Sequence, residues 1–194
     1  MGRAPRNIVP GLVYHVVNRA TEGQVIFLTA ADYSAFLALV VAACARFPVE
    51  VLAYCVMPNH WHLVLRPREA WALSAYMQWL TTRHVYHHRR AHGTLGRGHL
   101  YQGRFRRSTV DRESYYWNVI RYVEGNARRA NLVARAEDWH WGSLSERQRP
   151  RPRLLTALPE PLPPNWCEIV NSSIEAVELA GFRESLRRCA PHQP

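Results

Sequence analysis

The chain has 194 residues, of which 47% are hydrophobic, enough for one folded domain with its own core and an additional tail. No apolar run approaches the about 18 residues of a membrane span, and the basic N-terminus lacks the apolar segment of a signal peptide. The formal net charge is +10 and all 25 basic residues are arginine, which favours a polyanionic partner such as nucleic acid. Four cysteines lie far apart without a CxxC pair, which indicates a reducing compartment.

Six secondary-structure elements are predicted within the first 110 residues. Runs rich in β-branched and aromatic residues predict strands, and longer stretches with apolar residues at helical spacing predict helices. The predicted strands cover residues 11–19, 49–57, 60–66 and 101–110, and the predicted helices cover 30–46 and 69–92. This order is that of a ferredoxin-like or RRM-like βαββαβ fold, an α+β architecture with an antiparallel sheet and helices on one face.

A third helix is predicted after the sheet, from an N-cap at Asp111 to Asn126. Residues placed at 100° steps put Val119, Ile120 and Val123 on an apolar stripe that faces the core. The stripe beside it contains Tyr115, Asn118, Tyr122 and Asn126. A helix presents reactive groups to a cleft at such a border, although a lone tyrosine there more often packs with its hydroxyl at the surface.

The second strand of the predicted hairpin begins with His60-Trp61-His62, directly after a Pro58-Asn59 turn. A spacing of two puts both imidazoles on the same face of a strand, where they can bind a divalent metal ion together. His15 and Arg19 alternate in the first strand and can face the same surface. Taken alone, the histidine pair fits a half-buried strand with two solvent-facing polar residues at least as well.

Arginine clusters indicate where a polyanion would bind. Residues 83–90 form a cationic and aromatic surface, and arginine alternates with aromatic residues in 101–107. Arginine pairs with phosphate and aromatic rings stack on bases, although arginines on an edge strand can also serve to prevent aggregation. The candidate DNA-binding residues are Arg3, Arg6, Arg19, Arg83, Arg89, Arg90, Arg97, Arg104, Phe105, Arg106 and Arg107.

Three blocks of the chain, in this order, resemble the single-tyrosine HUH transposases, and within them most closely the REP-associated tyrosine transposases. The blocks are Pro10-Gly11 with Tyr14-His15 and Asn18-Arg19, then Met57-Pro58-Asn59 before the histidine pair, then Tyr122-Val-Glu-Gly-Asn126 with Ala127-Arg128-Arg129-Ala130. The resemblance covers about residues 3–142 and implies a tyrosine-bearing helix added to the βαββαβ sheet.

The resemblance implies roles for four residues. His60 and His62 would be metal ligands, and Asn126 would supply a third ligand. An amide and two imidazoles leave positions open for phosphate oxygens, which favours Mg²⁺ or Mn²⁺ over Zn²⁺. Tyr122 would be the nucleophile.

The choice of tyrosine follows from the family block. In these relatives the tyrosine lies four residues before an Asn-Pro-Val-Arg-Ala-like segment, which here begins at Asn126 and has Ala127 in place of the proline. This register selects Tyr122 over Tyr115 and Tyr116, and the missing proline is expected to let the helix continue.

The resemblance predicts a metal-dependent single-stranded DNA endonuclease and strand transferase. It would cleave and rejoin DNA beside repetitive palindromic (REP-like) hairpins through a 5′-phosphotyrosine intermediate, in the bacterial cytoplasm and associated with the nucleoid. It would act as a monomer or a homodimer, since both occur among the relatives. A non-catalytic hairpin-binding protein on the same fold and a metal nuclease that uses water are the open alternatives.

The predicted division of the chain is a transposase domain over 1–143, an Arg/Pro-rich linker over 144–165 and a C-terminal tail helix over 166–194. Alternating arginine and proline, followed by a proline-rich segment, indicate the linker. The tail helix is amphipathic and is expected to dock on the body, to cover the site or to bind DNA.

Overall fold

A computed structural model describes residues 7–110, 113–158, 160–174, 180–181 and 184. Its strands are β1 (Val13–Arg19), β2 (Val49–Met57), β3 (His60–Pro67) and β4 (Arg106–Val110). Its helices are α1 (Ala30–Cys44), α2 (Ala72–Ala91), α3 (Glu113–Glu124), α4 (Asn126–Arg129), α5 (Ser143–Arg147) and α6 (Trp166–Asn171). The four strands form one antiparallel sheet in the order β2-β3-β1-β4, so the predicted βαββαβ order is confirmed.

Helices α1 and α2 pack together on one face of the sheet. A capping box starts α1, in which the Thr29 and Asp32 side chains each accept a hydrogen bond from the other residue's backbone N–H. Alternate residues of β3, among them Trp61 and Leu63, point into the core beneath these helices. The other residues of β3 therefore face the opposite side.

Helices α1 and α2 cover one face of the sheet, as predicted for the βαββαβ unit, and the added helix α3, with α4, covers the opposite face. Leu52, Ala53 and Cys55 of β2 pack there against the apolar residues of α3. Strand β2 contains almost no polar residue, so both of its faces have to be buried against other elements. This second layer places the tyrosine-bearing helix over the histidine side of β3.

The helix that carries Tyr122 does not continue through Asn126 as expected. It ends at Glu124, and α4 starts after Gly125, although the Gly125 N–H still donates to the Arg121 carbonyl oxygen at 2.9 Å. The predicted N-cap Asp111 lies outside the described residues. Strand β4 is also shorter than predicted, since Tyr101 makes only an isolated bridge to Ala20.

The segment after residue 142 packs on the body where the structure describes it. Helix α5 begins at Ser143, the last residue of the predicted domain, and continues into the predicted linker. Trp166 of α6 is buried against the α3 side of the sheet. The predicted tail helix over 166–194 lies largely outside the described residues, so the predicted domain division remains a prediction. No helix in the described ranges is long and apolar enough to cross a membrane.

Candidate functional site

The candidate site lies on the sheet face that α3 covers. Residues directly opposite each other in neighbouring strands share a face, so the sheet can be described as rows across β3, β1 and β4. From the turn inwards, these rows are His60–Arg19, His62–Val17–Arg106 and Val64–His15–Ser108. His15 and Arg19 therefore share the face of the histidine pair, as their alternation indicated.

Three imidazoles meet in these rows. His15 Nε2 lies 2.9 Å from His62 Nδ1, and the two rings are stacked with centroids 5.1 Å apart. The His60 ring lies edge-on to His62 at a centroid distance of 5.1 Å. His60 Nδ1 lies 2.6 Å from Asn59 Oδ1. Because Nδ1 of His60 and Nδ1 of His62 are both engaged, each of these rings can bind a further ligand through its Nε2 atom.

Tyr122 lies beside this cluster and is 7% exposed. Its ring centroid is 5.9 Å from the His15 centroid and 5.9 Å from the His62 centroid, edge-on to both rings. The apolar stripe predicted for this helix, with Val119 and Val123, is buried against the sheet. Packing of that stripe brings the Tyr122 ring to the histidines of its own chain.

Arg129 covers the Tyr122 ring from another side. Its Cζ atom lies 4.5 Å from the ring centroid, and its guanidinium donates to the Tyr122 backbone oxygen. Gly125 leaves the space for this arrangement, because a Cβ atom there would lie 2.6 Å from Arg129 Nη1. The Tyr122 ring thus has imidazoles at its edge and a cation over its face.

The histidines of the site are neutral at pH 7. Burial lowers the pKa of His15 to about 3. Burial, and then the charge of Arg19, lower the pKa of His60 to about 4. The pKa of His62 lies well below 6.5, mainly because of burial and then because of its two neighbouring imidazoles. Neutral imidazoles keep the lone pair that a metal ion needs.

Asn126, the first residue of α4, carries an amide whose buried Nδ2 has no hydrogen-bond partner among the residues that the structure describes. Turning the amide by 180° exchanges nitrogen and oxygen, so an oxygen ligand can take that position. Within the described ranges, no three His, Cys, Asp or Glu side chains are arranged to hold a metal ion. Two imidazole nitrogens and an unpaired amide are nevertheless donors that fit a small divalent cation.

The predicted DNA-binding arginines fall into two groups. Arg19 and Arg106 belong to the rows of the site, and Arg104 is exposed in the loop before β4. The others lie elsewhere: Arg83, Arg89 and Arg90 on α2, Arg97 in the following loop, and Arg107 with its guanidinium over the Tyr14 ring at 5.3 Å. Arg3 and Arg6 lie outside the described residues.

Phe105 does not present its ring for stacking on a base. It is 7% exposed and packs in the core beneath α1 and α2. The neighbouring Tyr101 is buried as well. Its hydroxyl accepts a hydrogen bond from Trp61 Nε1 at 2.9 Å and lies 2.5 Å from His84 Nδ1. Tyr101 of this segment therefore binds the indole of Trp61, the residue between the two histidines.

Sequence reasoning assigned no role in the site to His15 or Arg129. The alternation of β1 indicated the face of His15, but not that its ring would contact His62. Nothing in the local pattern indicated Arg129, because its contact with Tyr122 depends on the turn at Gly125. Both residues border the tyrosine and belong to the site by their contacts.

Comparison with known proteins gives the family. The model of the family described as "Transposase IS200 like" matches residues 8–126. The chain therefore belongs to the IS200-like transposase family. No curated protein sequence matches it.

Two solved structures are similar. A REP-associated tyrosine transposase bound to a REP hairpin has a TM-score of 0.62 and 16% identity, over 84% of this chain and 95% of that one. A candidate transposase from Deinococcus radiodurans R1 has a TM-score of 0.45 and 17% identity, over 59% of this chain and 91% of that one. The first of these likenesses shows that the two chains share a fold.

Proposed function

We propose that this protein is a metal-dependent single-stranded DNA endonuclease and strand transferase, built on a ferredoxin-like sheet, with Tyr122 as its nucleophile. The observation that carries the proposal is the Tyr122 ring at 5.9 Å from the His62 ring within one chain. Membership of the IS200-like transposase family supports it. The intrachain contact favours attack at the site of the same chain.

His60, His62 and Asn126 would hold Mg²⁺ or Mn²⁺. A cation held by these residues would polarise the scissile phosphate and offset the charge that develops on it. The two histidines contribute neutral Nε2 atoms, since their Nδ1 atoms are engaged with Asn59 and His15. Asn126 contributes the oxygen of its unpaired amide.

Tyr122 supplies the oxygen that attacks phosphorus. A bond forms between the phenolic oxygen and phosphorus, the bond from phosphorus to the 3′ oxygen breaks, and the phenolic proton ends on the 3′-hydroxyl. The products are a 5′-phosphotyrosine and a free 3′ end. Because one phosphodiester replaces another, the same 3′-hydroxyl can reverse the step and rejoin DNA without ATP.

The DNA substrate would be a single strand beside a palindromic hairpin. Arg19 and Arg106 lie in the rows of the site, and Arg104 is exposed just before β4. These three guanidinium groups can pair with the phosphates that flank the scissile bond. The similar transposase bound to a REP hairpin supports the choice of substrate.

The test uses a 3′-labelled single-stranded hairpin from the host's own palindromic repeats, incubated with the full chain and Mn²⁺. Wild-type protein is expected to give a labelled band of protein-linked DNA on a denaturing gel. Tyr122→Phe is expected to lose this band, because the covalent bond requires the phenolic oxygen. Tyr116→Phe is the matched control, because Tyr116 lies on the same helix and its hydroxyl has no hydrogen-bond partner in the described part of the chain.

Other outcomes separate the alternatives. Cleavage without a protein-linked band, equally active in Tyr122→Phe, would identify a nuclease that uses water. Tight hairpin binding without cleavage would identify a non-catalytic binding protein. Either result contradicts the proposed mechanism.

A further inference from the structure

The contact between His15 and His62 imposes a choice of proton position. His15 Nε2 and His62 Nδ1 are 2.9 Å apart, and both side chains are buried. Two neutral imidazoles at this distance share one proton, with one nitrogen as donor and the other as acceptor. The choice decides which nitrogen of His62 is free.

Only one of the two arrangements suits a metal ligand. If His62 Nδ1–H donates to His15, then His62 Nε2 keeps its lone pair and can bind a cation. If His15 Nε2–H donates instead, neutral His62 carries its proton on Nε2 and cannot bind there. The cation therefore requires His15 as the acceptor.

His60 provides an internal comparison. Its Nδ1 faces Asn59 Oδ1 at 2.6 Å, and the Asn59 amide is oriented by donation from Nδ2 to the Gly23 carbonyl oxygen at 3.0 Å. An amide oxygen only accepts, so His60 Nδ1 donates and its Nε2 is free. Asn59 accepts the Nδ1–H of His60 and so leaves His60 Nε2 free. An accepting His15 would have the same effect on His62.

We propose that His15 is a positioning residue that accepts the His62 Nδ1–H and thereby keeps His62 Nε2 available for the cation. The proposal rests on the proposed function, because it concerns the same metal centre. His15 is not itself placed as a ligand: its Nε2 is engaged, its side chain is 1% exposed, and its row lies one step deeper than that of His62.

The first test measures Mn²⁺ affinity by calorimetry for the full chain and two variants. His15→Phe fills a similar volume but cannot accept, so we expect about 10–100-fold weaker binding. His15→Gln places an amide oxygen near the position of Nε2, so we expect affinity within about threefold of wild type, since an accepting group is restored. Thermal unfolding of each variant checks that it is folded.

The second test needs no variant. Long-range ¹H–¹⁵N NMR spectra of the metal-free protein report which nitrogen of each imidazole carries the proton. We expect His62 to be protonated on Nδ1 and His15 Nε2 to be unprotonated. This signature does not depend on whether His15→Phe folds.

Three results would overturn the inference. His62 protonated on Nε2 would do so, as would a folded His15→Phe with wild-type Mn²⁺ affinity. A His15→Gln variant that loses as much affinity as His60→Ala would make His15 a ligand instead. In each of these cases the proposed function still stands if the wild-type chain binds Mn²⁺ and forms the Tyr122 adduct. A wild-type chain that binds no Mn²⁺ would remove both proposals.

Discussion

Gly125 separates the helix that carries Tyr122 from the helix that carries Arg129. Its φ of −81° is open to any residue, so glycine is not required there by backbone conformation. Glycine is required because there is no room for a side chain: a Cβ atom would lie 2.6 Å from Arg129 Nη1 and 3.3 Å from the Val170 carbonyl oxygen. The absence of a side chain lets Arg129 reach the tyrosine ring and lets α6 approach α3.

We therefore expect Gly125→Ala to destabilise the protein by about 1–3 kcal/mol, the usual cost of overpacking. It should also displace Arg129 from the Tyr122 ring and lower the yield of protein-linked DNA. Urea unfolding measures the first effect and the denaturing gel the second.

Gly98→Ala is the matched control, because no atom of the described residues lies within 4 Å of a Cβ built at that position. We expect it to change the free energy of unfolding by less than about 0.5 kcal/mol. Equal effects of the two substitutions would contradict the explanation by space.

At the scale of elements, Glu124 at the end of α3 joins three helices. Its buried carboxylate accepts hydrogen bonds from Ser143 Oγ at 2.6 Å, Arg147 Nε at 2.7 Å and Trp166 Nε1 at 2.7 Å. Arg121 of α3 also donates to the Ile169 carbonyl oxygen in α6 at 2.9 Å. Helices α5 and α6 thus hold the tyrosine-bearing helix on the sheet.

Replacing Glu124 by Gln should destabilise the protein by about 3–5 kcal/mol, because the buried Arg147 guanidinium loses its charged partner. Urea unfolding followed by circular dichroism measures the change. The same substitution at exposed Glu69 is the control and is expected to cost less than about 0.5 kcal/mol. A Glu124→Gln variant as stable as that control would show that α5 and α6 are not held through this carboxylate.

At the scale of the whole molecule, both layers of the fold contain buried neutral histidines. His84 belongs to α2, and its buried ring packs against Phe27 and Phe36, where burial, and then His88, lower its pKa to about 3. Above pH 6.5 this histidine is neutral in both the folded and the unfolded chain. As the pH falls below 6.5, only the unfolded chain takes up the proton, so the stability is lost towards acid pH.

His84→Phe should remove this dependence. Each such histidine makes the free energy of unfolding fall by about 1.4 kcal/mol per pH unit below pH 6.5. The free energy of unfolding of His84→Phe should therefore fall less between pH 7 and pH 5 than that of the wild type. Urea unfolding at pH 7, 6 and 5 measures the slope. A slope for His84→Phe parallel to that of the wild type would contradict the prediction.

Much of the architecture was determined by the sequence itself. The order of strands and helices, the Pro58-Asn59 turn and the shared face of His60 and His62 follow from local periodicity, which the backbone enforces within each element. The apolar stripe of α3 was determined in the same way. The family blocks added the proposed role of Tyr122, a residue that no local pattern distinguishes from its neighbouring tyrosines.

Only the tertiary structure decided which faces meet. The stripe of α3 can cover either face of a sheet, and β2, apolar on both faces, directs it to the histidine side. That choice brings Tyr122 to His62 and His15, and the turn at Gly125 brings Arg129 over the ring. Periodicity determines which face an element buries, whereas the partner of that face depends on contacts between distant residues that form only when the whole core is buried.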